Sequence, residues 1–286
     1  MKRRILIGGL GAVLAAPGSA LAKRALRIVS VGSAITEIIY ALGAEKHLVG
    51  VDTTSLHPEE ARALPQVGYM RALSAEGVLS LKPNLIIATT AAGPAGALEQ
   101  LRATGIEVLI LPDHYDYDSV AAKIEAVGRL TGREARAGEM IDEGKRQMAS
   151  LAARLAVATT HPRVLFLLSM GGGAPQAAGR GTAADGIIRL GGGVNAIDGY
   201  AGYRPLTPES VIASRADYVL VTRQTVDAMG GLQALTDQPI LRQTPAGKAG
   251  RVVQFDALLL LGFGPRTPQA ATQLALALHP ELARAR

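Results

Sequence analysis

The chain has 286 residues, of which 48% are hydrophobic, and a formal net charge of +6. This length allows one large domain or two moderate ones with a substantial apolar core. The Lys and Arg residues form no basic run interleaved with aromatics, which argues against nucleic-acid binding. Cysteine is absent, so disulfides and thiolate metal sites are excluded.

Residues 1–22 have the pattern of a signal peptide. Positive charge at Met1–Arg4 is followed by an apolar stretch, Ile5–Ala16, and by the small-residue cleavage pattern Ala20-Leu-Ala22. The apolar stretch is shorter than the roughly 20 residues that a membrane-spanning helix needs. We therefore expect a soluble, exported protein that begins at Lys23 and carries no lipid anchor. Arg3-Arg4 leaves both general and twin-arginine export open.

The first half of the mature chain alternates apolar and amphipathic segments. Strands are predicted at Arg27–Val31, Leu48–Val51, Asn84–Thr90 and Ile106–Leu111, and helices at Ala34–Leu42, Ala95–Thr104 and Ser119–Leu130. This alternation favours a parallel, doubly wound sheet. No Gly-x-Gly-x-x-Gly motif follows the first strand and no Walker A motif occurs, so a nucleotide site is not supported.

A loop that leads into a helix separates the second and third predicted strands. Gly68 gives this loop conformational freedom, Ser74 suits a helix N-cap, and Glu76 suits the positive end of the helix dipole. Tyr69 and Arg71 would lie at the rim of the sheet, where open α/β sheets bind ligands. A phenol can ligate ferric haem iron. A half-buried loop aromatic is the alternative interpretation of Tyr69.

Two features follow the fourth predicted strand. Asp113–Asp118 is rich in Asp, Tyr and His, but alternate residues of one loop rarely converge on a metal ion. We expect a surface loop whose Asp118-Ser119 caps the next helix, although one of its tyrosines could line a cleft. Arg133–Leu155 contains no proline and predicts a helix about 35 Å long. Such a helix is either a strut between lobes or an ordinary surface helix.

The second half of the chain repeats motifs of the first. Thr207–Thr222 echoes Ser74–Thr89, with a glutamate in the first turn of a helix and an apolar strand that ends in threonine. Asp185–Gly191 echoes Thr36–Gly43 in the same order. The repeats predict two doubly wound α/β lobes joined by one long α-helix, with a ligand cleft between the lobes. The expected layout is a signal peptide at 1–22, an N-terminal lobe at 23–132, the connecting helix at 133–157 and a C-terminal lobe at 158–286.

The run Gly68–Pro83 resembles the haem-binding loop of periplasmic haemin-binding proteins of bacterial ABC importers, and Arg27–Gly43 and Gln176–Asp185 extend the resemblance. It implies a periplasmic, monomeric, class III binding protein that carries haem and catalyses no reaction. It also implies that Tyr69 ligates the iron. The expected partners are the inner-membrane permease and its ATPase, and the chain itself is not membrane-embedded.

Further site residues are expected on both lobes. By the resemblance, Glu76 and Glu209 match the glutamates that dock onto arginine pockets of the permease. The other residues expected to contact haem are Arg71, Met170, Arg180, Tyr203 and Arg204. Tyr200 is a candidate beside them, and turn residues are an equal interpretation of Tyr200, Tyr203 and Arg204.

Two other functions remain open at the level of sequence. The same scaffold carries cobalamin or ferric siderophores in related proteins, and Leu-Lys-Pro-Asn-Leu-Ile at 81–86 is shared with that wider family. A remote alternative is an exported hydrolase, because Ser33, Asp52 and His57 are the residue types of a triad. No Gly-x-Ser-x-Gly elbow and no His-Glu-x-x-His motif supports it.

Overall fold

A computed structural model describes residues 25–168 and 175–283 of the chain. In the first half the strands are β1 (Ile28–Val31), β2 (Leu48–Val51), β3 (Gly68–Tyr69), β4 (Ala72–Leu73), β5 (Leu85–Thr89) and β6 (Glu107–Leu111). The helices are α1 (Ser33–Ala41), α2 (Ala75–Ser80), α3 (Ala95–Ala103), α4 (Tyr117–Thr131) and α5 (Glu134–Leu155). The predicted signal peptide and Met170 lie outside the described residues.

The second half repeats this arrangement. Its strands are β7 (Arg163–Leu168), β8 (Gln176–Ala178), β9 (Val194–Asn195), β10 (Tyr203–Pro205), β11 (Tyr218–Thr222) and β12 (Val252–Phe255). Its helices are α6 (Ala183–Leu190), α7 (Pro208–Ser214), α8 (Arg223–Ala228), α9 (Leu232–Thr236), α10 (Pro245–Lys248), α11 (Ala257–Leu261) and α12 (Thr267–Leu278).

Each half forms its own sheet. The first has the order β2-β1-β5-β6 with every neighbouring pair parallel. The second contains the parallel order β7-β11-β12, with β9 parallel to β7. The predicted pair of doubly wound α/β lobes is confirmed. The second sheet also carries an antiparallel edge, β10-β8-β7, which was not predicted because these strands are short and flanked by glycine.

The connecting helix α5 is 22 residues long, or about 33 Å. Only three of its residues are buried: Ala137, Gly144 and Leu151. It packs against α4 through two close contacts that leave no room for larger side chains. A Cβ at Gly128 would lie 2.5 Å from the Ala137 Cβ, and one at Gly144 would lie 1.7 Å from the Tyr117 hydroxyl.

One hydrophobic core runs through both lobes. It includes Ile28 and Ile87 of the first sheet together with Val164, Phe166 and Leu220 of the second. Separate, smaller clusters cover the outer face of each sheet. Apolar burial of this kind stabilises by about 25 cal/mol per Å². Because the lobes share a core, separating them would expose apolar surface, so the relative position of the lobes is stabilised by more than α5.

The loop before α4 differs from the prediction. The helix begins at Tyr117, and its N-cap is Asp116, whose carboxylate accepts a hydrogen bond of 2.8 Å from the Ser119 amide. The proposed cap at Asp118-Ser119 is therefore wrong. Both Asp116 and Asp118 could cap a helix. Asp116 is the cap, because it has the extended backbone of an N-cap residue, whereas Asp118 lies within the helix.

Candidate ligand-binding cleft

Tyr69 lies on a small β-hairpin at the carboxyl edge of the first sheet. The strands β3 and β4 pair Gly68 with Leu73 and Tyr69 with Ala72, and Gly68 adopts a φ of 95°. The hairpin is attached to the loop after β5, because the Gly93 amide donates to the Met70 carbonyl at 2.8 Å. A backbone anchored in this way holds the Tyr69 side chain at the sheet edge.

The helix after the hairpin begins as predicted. Ser74 caps α2, and its hydroxyl accepts a hydrogen bond of 3.2 Å from the Gly77 amide. Thr207 caps α7 in the second lobe in the same way, by accepting from Ser210 at 3.2 Å. Tyr69 and Tyr203 thus precede corresponding helices, five and four residues before the respective caps. The internal repeat places one tyrosine from each lobe at the facing edges.

A cleft of about 420 Å³ lies between the lobes. It opens at the carboxyl ends of the parallel strands, where α/β sheets bind ligands. The first lobe contributes Gly32, Ser33, Ala34, Tyr69, Met70, Arg71, Thr89, Ala91, Asp113 and Tyr115, and the second contributes Leu168, Gln176, Ala183, Tyr203, Leu261 and Gly262. Three tyrosines and one arginine therefore border a space whose remaining lining is largely small or apolar.

Tyr69 is 44% exposed. It lines the cleft and is buried in neither lobe. Arg71 is also exposed and lines the cleft. Within the described residues, no group of three or more His, Asp or Glu side chains can hold a metal ion.

Tyr203 has the most perturbed phenol in the cleft. Its pKa is raised to about 12, mainly by burial and also by the nearby Tyr115, while hydrogen bonds to Thr182 and Ala184 and the charge of Arg71 oppose the shift. Burial and the Asp113 carboxylate also raise the pKa of Tyr115, against the charge of Arg71. Both phenols therefore stay protonated at neutral pH and can donate hydrogen bonds.

The remaining predicted site residues are dispersed. Arg204 is exposed, and its guanidinium carbon lies 4.7 Å from the Tyr200 ring centroid, an arrangement typical of a cation–π contact. Arg180 is exposed and pairs through its backbone with Ala201. Neither arginine is among the described residues that line the cleft. Glu76 and Glu209 are exposed in the first turns of α2 and α7.

Asp113 and Tyr115 line the cleft, although the sequence predicted a surface loop there with at most one tyrosine near a cleft. Both lie in the loop after β6, one of the strand ends that face the cleft. Their position after a strand of a parallel sheet could have identified them, because ligands bind at the carboxyl ends of such strands. Asp113 also forms a salt bridge with the almost fully buried Lys123 of α4. This salt bridge attaches the loop to the first lobe.

The residue types of a hydrolytic triad do not form one. Asp52 is fully buried, and its carboxylate accepts hydrogen bonds from Gly32, Thr54 and Ser55 at 2.6–2.9 Å. His57 lies in a separate groove with Glu37 and Arg266. The Asp52 carboxylate therefore stabilises the turn after β2, and none of its hydrogen bonds in the described part of the chain involves His57.

Within the described residues, no helix is long and apolar enough to cross a membrane.

A family model for periplasmic binding proteins matches residues 28–258. The periplasmic heme-binding protein RhuT from Roseiflexus sp. RS-1 is 41% identical, with a TM-score of 0.85 over 90% of this chain and 99% of that chain. The periplasmic heme-binding protein BhuT, solved with two hemes, is 40% identical, with a TM-score of 0.85 over 90% and 98%. A vitamin B12-binding protein of Photorhabdus laumondii is 31% identical over 142 residues, half of each chain.

Proposed function

The chain belongs to the periplasmic binding protein family, and we propose that Tyr69 ligates the iron of a haem carried in the interlobe cleft. The protein is the haem-binding component of an ABC importer and delivers haem to the permease. The observation that carries the site assignment is the position of the exposed Tyr69 in a cleft lined by both lobes. Haem is the transported cargo, and binding without catalysis is the proposed role.

The chemistry of the cleft suits ferric haem. A phenolate is a hard anionic ligand of the kind that binds ferric iron. The Arg71 guanidinium on the same hairpin is a donor for a haem carboxylate. The small and apolar remainder of the lining suits a flat hydrophobic ring.

Tyr203 has a different role from Tyr69. Because its pKa is raised to about 12, it remains neutral at pH 7 and serves as a hydrogen-bond donor in the cleft. Arg204 and Arg180 lie outside the cleft lining, so they contact haem only where a propionate extends past the rim. Met170 remains a predicted contact from the second lobe.

The site also indicates where the protein works and what it meets. The resemblance of this chain to periplasmic heme-binding proteins over 90% of its length supports a location outside the cytoplasm, which we propose to be the periplasm. The exposed Glu76 and Glu209, one on each lobe, are proposed to dock onto basic pockets of the permease. Charge pairs of this kind fix orientation more than affinity.

The decisive experiment is a titration of the purified protein with haemin, followed by absorbance and native mass spectrometry. We expect a Soret band with tyrosinate character in the wild type, lost or shifted in Tyr69→Phe. Tyr218→Phe is the matched control. Tyr218 lies on β11, contacts the Arg251 guanidinium and does not line the cleft. An unchanged spectrum in Tyr69→Phe would contradict the ligand assignment, and the mass would give the number of haems.

A second candidate ligand is cobalamin, favoured by the 31% identity to a vitamin B12-binding protein over half the chain. The haem-binding proteins match over nine-tenths of the chain at higher identity. Competition between haemin and cyanocobalamin for the wild-type protein separates the two, and tighter binding of cyanocobalamin would overturn the haem assignment.

A further inference from the structure

The two lobes contact each other beneath the cleft through a reciprocal pair of contacts. In each lobe, the first helix meets a segment that lies after the last strand of the other lobe. Helix α1 meets residues 262–266, which follow α11, and helix α6 meets Tyr115, which lies in the loop after β6. We call this pair of contacts the interlobe clasp. It follows the internal repeat, since α1 corresponds to α6 and β6 to β12.

The first contact is ionic. The Arg266 Nε donates to a Glu37 carboxylate oxygen at 3.0 Å, and its terminal nitrogen donates to the other oxygen. The Glu37 side chain is 9% exposed and that of Arg266 27%. Beside this pair, a Cβ at Gly264 would lie 3.5 Å from the Ala34 Cα. The contact therefore combines a bidentate ion pair with close packing.

The second contact depends on the absence of a side chain at Gly186. A Cβ there would lie 2.4 Å from the Tyr115 carbonyl oxygen and 2.5 Å from the Tyr115 Cβ. Tyr115 has a φ of 53°, and its ring meets that of Phe263 edge-to-face with centroids 5.3 Å apart. The Arg189 guanidinium lies 3.5 Å from the same carbonyl. The Tyr115 backbone thus fits directly against α6.

The clasp lies one helical turn beyond the cleft lining. Ala34 lines the cleft and Glu37 follows it by three residues on α1; Ala183 lines the cleft and Gly186 follows it by three residues on α6. Tyr115 belongs to both, because it lines the cleft and contacts Gly186. We therefore expect a change in the spacing at the clasp to alter the width of the cleft.

We propose that the interlobe clasp sets the cleft width and that Gly186 is a positioning residue for ligand specificity. Without a Cβ at 186 the lobes approach closely enough for a thin planar macrocycle to contact both. A corrin with groups standing on its two faces is thicker and should bind less tightly. The proposal rests on the proposed function for its ligand, and it assigns the discrimination to a residue outside the cleft lining.

The test compares Gly186→Ala with Gly138→Ala. Gly138 also lies within a helix, but an added Cβ there meets nothing within 4 Å. Because the chain has no cysteine, exposed Glu99 on α3 and Lys248 on α10 can be replaced by cysteine and spin-labelled to measure the interlobe distance. Haemin and cyanocobalamin affinities are measured on the same proteins.

For Gly186→Ala we expect the interlobe distance to lengthen by on the order of 1 Å, as the 2.4 Å contact relaxes to an ordinary one. Haemin binding should weaken roughly tenfold or more while cyanocobalamin binding does not, because overpacking at the clasp opens the cleft. Gly138→Ala should change neither quantity. Glu37→Gln weakens the ion pair with Arg266 without adding volume. It should also lengthen the interlobe distance and weaken haemin binding, and it serves as the test if Gly186→Ala does not fold.

Two results would overturn the proposal. One is an unchanged interlobe distance in folded Gly186→Ala or, if that variant does not fold, in Glu37→Gln. The other is a longer distance with an unchanged ratio of haemin to cyanocobalamin affinity. Failure of the proposed function is distinguishable from both, because the wild-type protein itself would then not bind haemin.

Discussion

The Glu37 carboxylate accepts two hydrogen bonds from the Arg266 guanidinium, although the residues are separated by 229 positions in the chain. Glu37 belongs to the first lobe and Arg266 to the second, so the pair crosses between them. Hydrogen bonding to Glu37 raises the pKa of Arg266. The pair thus supplements α5 and the shared core in holding the lobes together.

Glu37→Gln should lower the free energy of unfolding by about 1–2 kcal/mol, because it leaves a partly buried guanidinium with a weaker, neutral acceptor. Urea denaturation followed by circular dichroism measures the change. The matched control is Glu139→Gln, whose partner Arg136 is 55% exposed. Exposed pairs contribute little, so this control should stay within about 0.5 kcal/mol of the wild type. Equal effects of both substitutions would contradict a structural role for the Glu37–Arg266 pair.

The raised pKa of Tyr203 predicts a pH dependence. Its pKa is about 12 in the folded protein, against 10.0 as the ordinary value. The folded state therefore favours the neutral phenol, and the resulting stability is complete below pH 10 and is lost as the pH rises through 12. Tyr203→Phe should remove this loss, so its stability relative to the wild type should improve between pH 10 and 12.

Ultraviolet titration of the tyrosines provides a direct measurement of the Tyr203 phenol. Tyr203→Phe should delete a transition near pH 12, and Tyr218→Phe should leave that transition in place. Arg71→Ala should move it to higher pH, because the charge of Arg71 lowers the pKa of Tyr203. A midpoint near 10 for Tyr203 would show that its hydroxyl is hydrated and not buried against the second lobe.

Gly144 in α5 is required by the ring of Tyr117 from α4. A Cβ at 144 would lie 1.7 Å from the Tyr117 hydroxyl, which donates to the Ile141 carbonyl at 3.2 Å. Gly144→Ala should therefore destabilise the protein by about 1–3 kcal/mol through overpacking. Gly138→Ala on the same helix has open space and should stabilise it by up to about 1 kcal/mol, because alanine is the better helix former. Thermal unfolding compares the two variants, and a stabilising Gly144→Ala would contradict the α4–α5 packing.

Much of the fold could be predicted because local and long-range signals agreed. The apolar runs at Leu48–Val51 and Leu85–Thr89 indicated buried strands of a parallel sheet, and the repeat of their order predicted the second lobe. The strands β8 and β10 were missed, because short segments carry little periodicity. β8 pairs with β7, and β10 pairs with β8; no local pattern encodes these contacts.

The cleft was predicted in part. Tyr69 and Arg71 precede a capped helix at a sheet edge, so their position follows from local sequence, and the structure places both in the cleft lining. The close approach of Tyr115 to Gly186 was not predictable, because it joins a loop of one lobe to a helix of the other. Neither residue carries a local signal of that contact.

We expect delivery of the cargo to depend on Glu76 and Glu209, which are exposed and occupy the same position in corresponding capped helices of the two lobes. Glu76→Arg or Glu209→Arg should leave haemin affinity unchanged, because neither side chain lines the cleft within the described residues. Haem uptake by cells or by permease proteoliposomes should fall with either reversal and fall further with both, since like charges then oppose at the docking surface. Glu139→Arg, on the exposed face of α5, is the charge-matched control and should retain uptake. Reduced uptake in this control, or full uptake in the double reversal, would place the docking surface elsewhere.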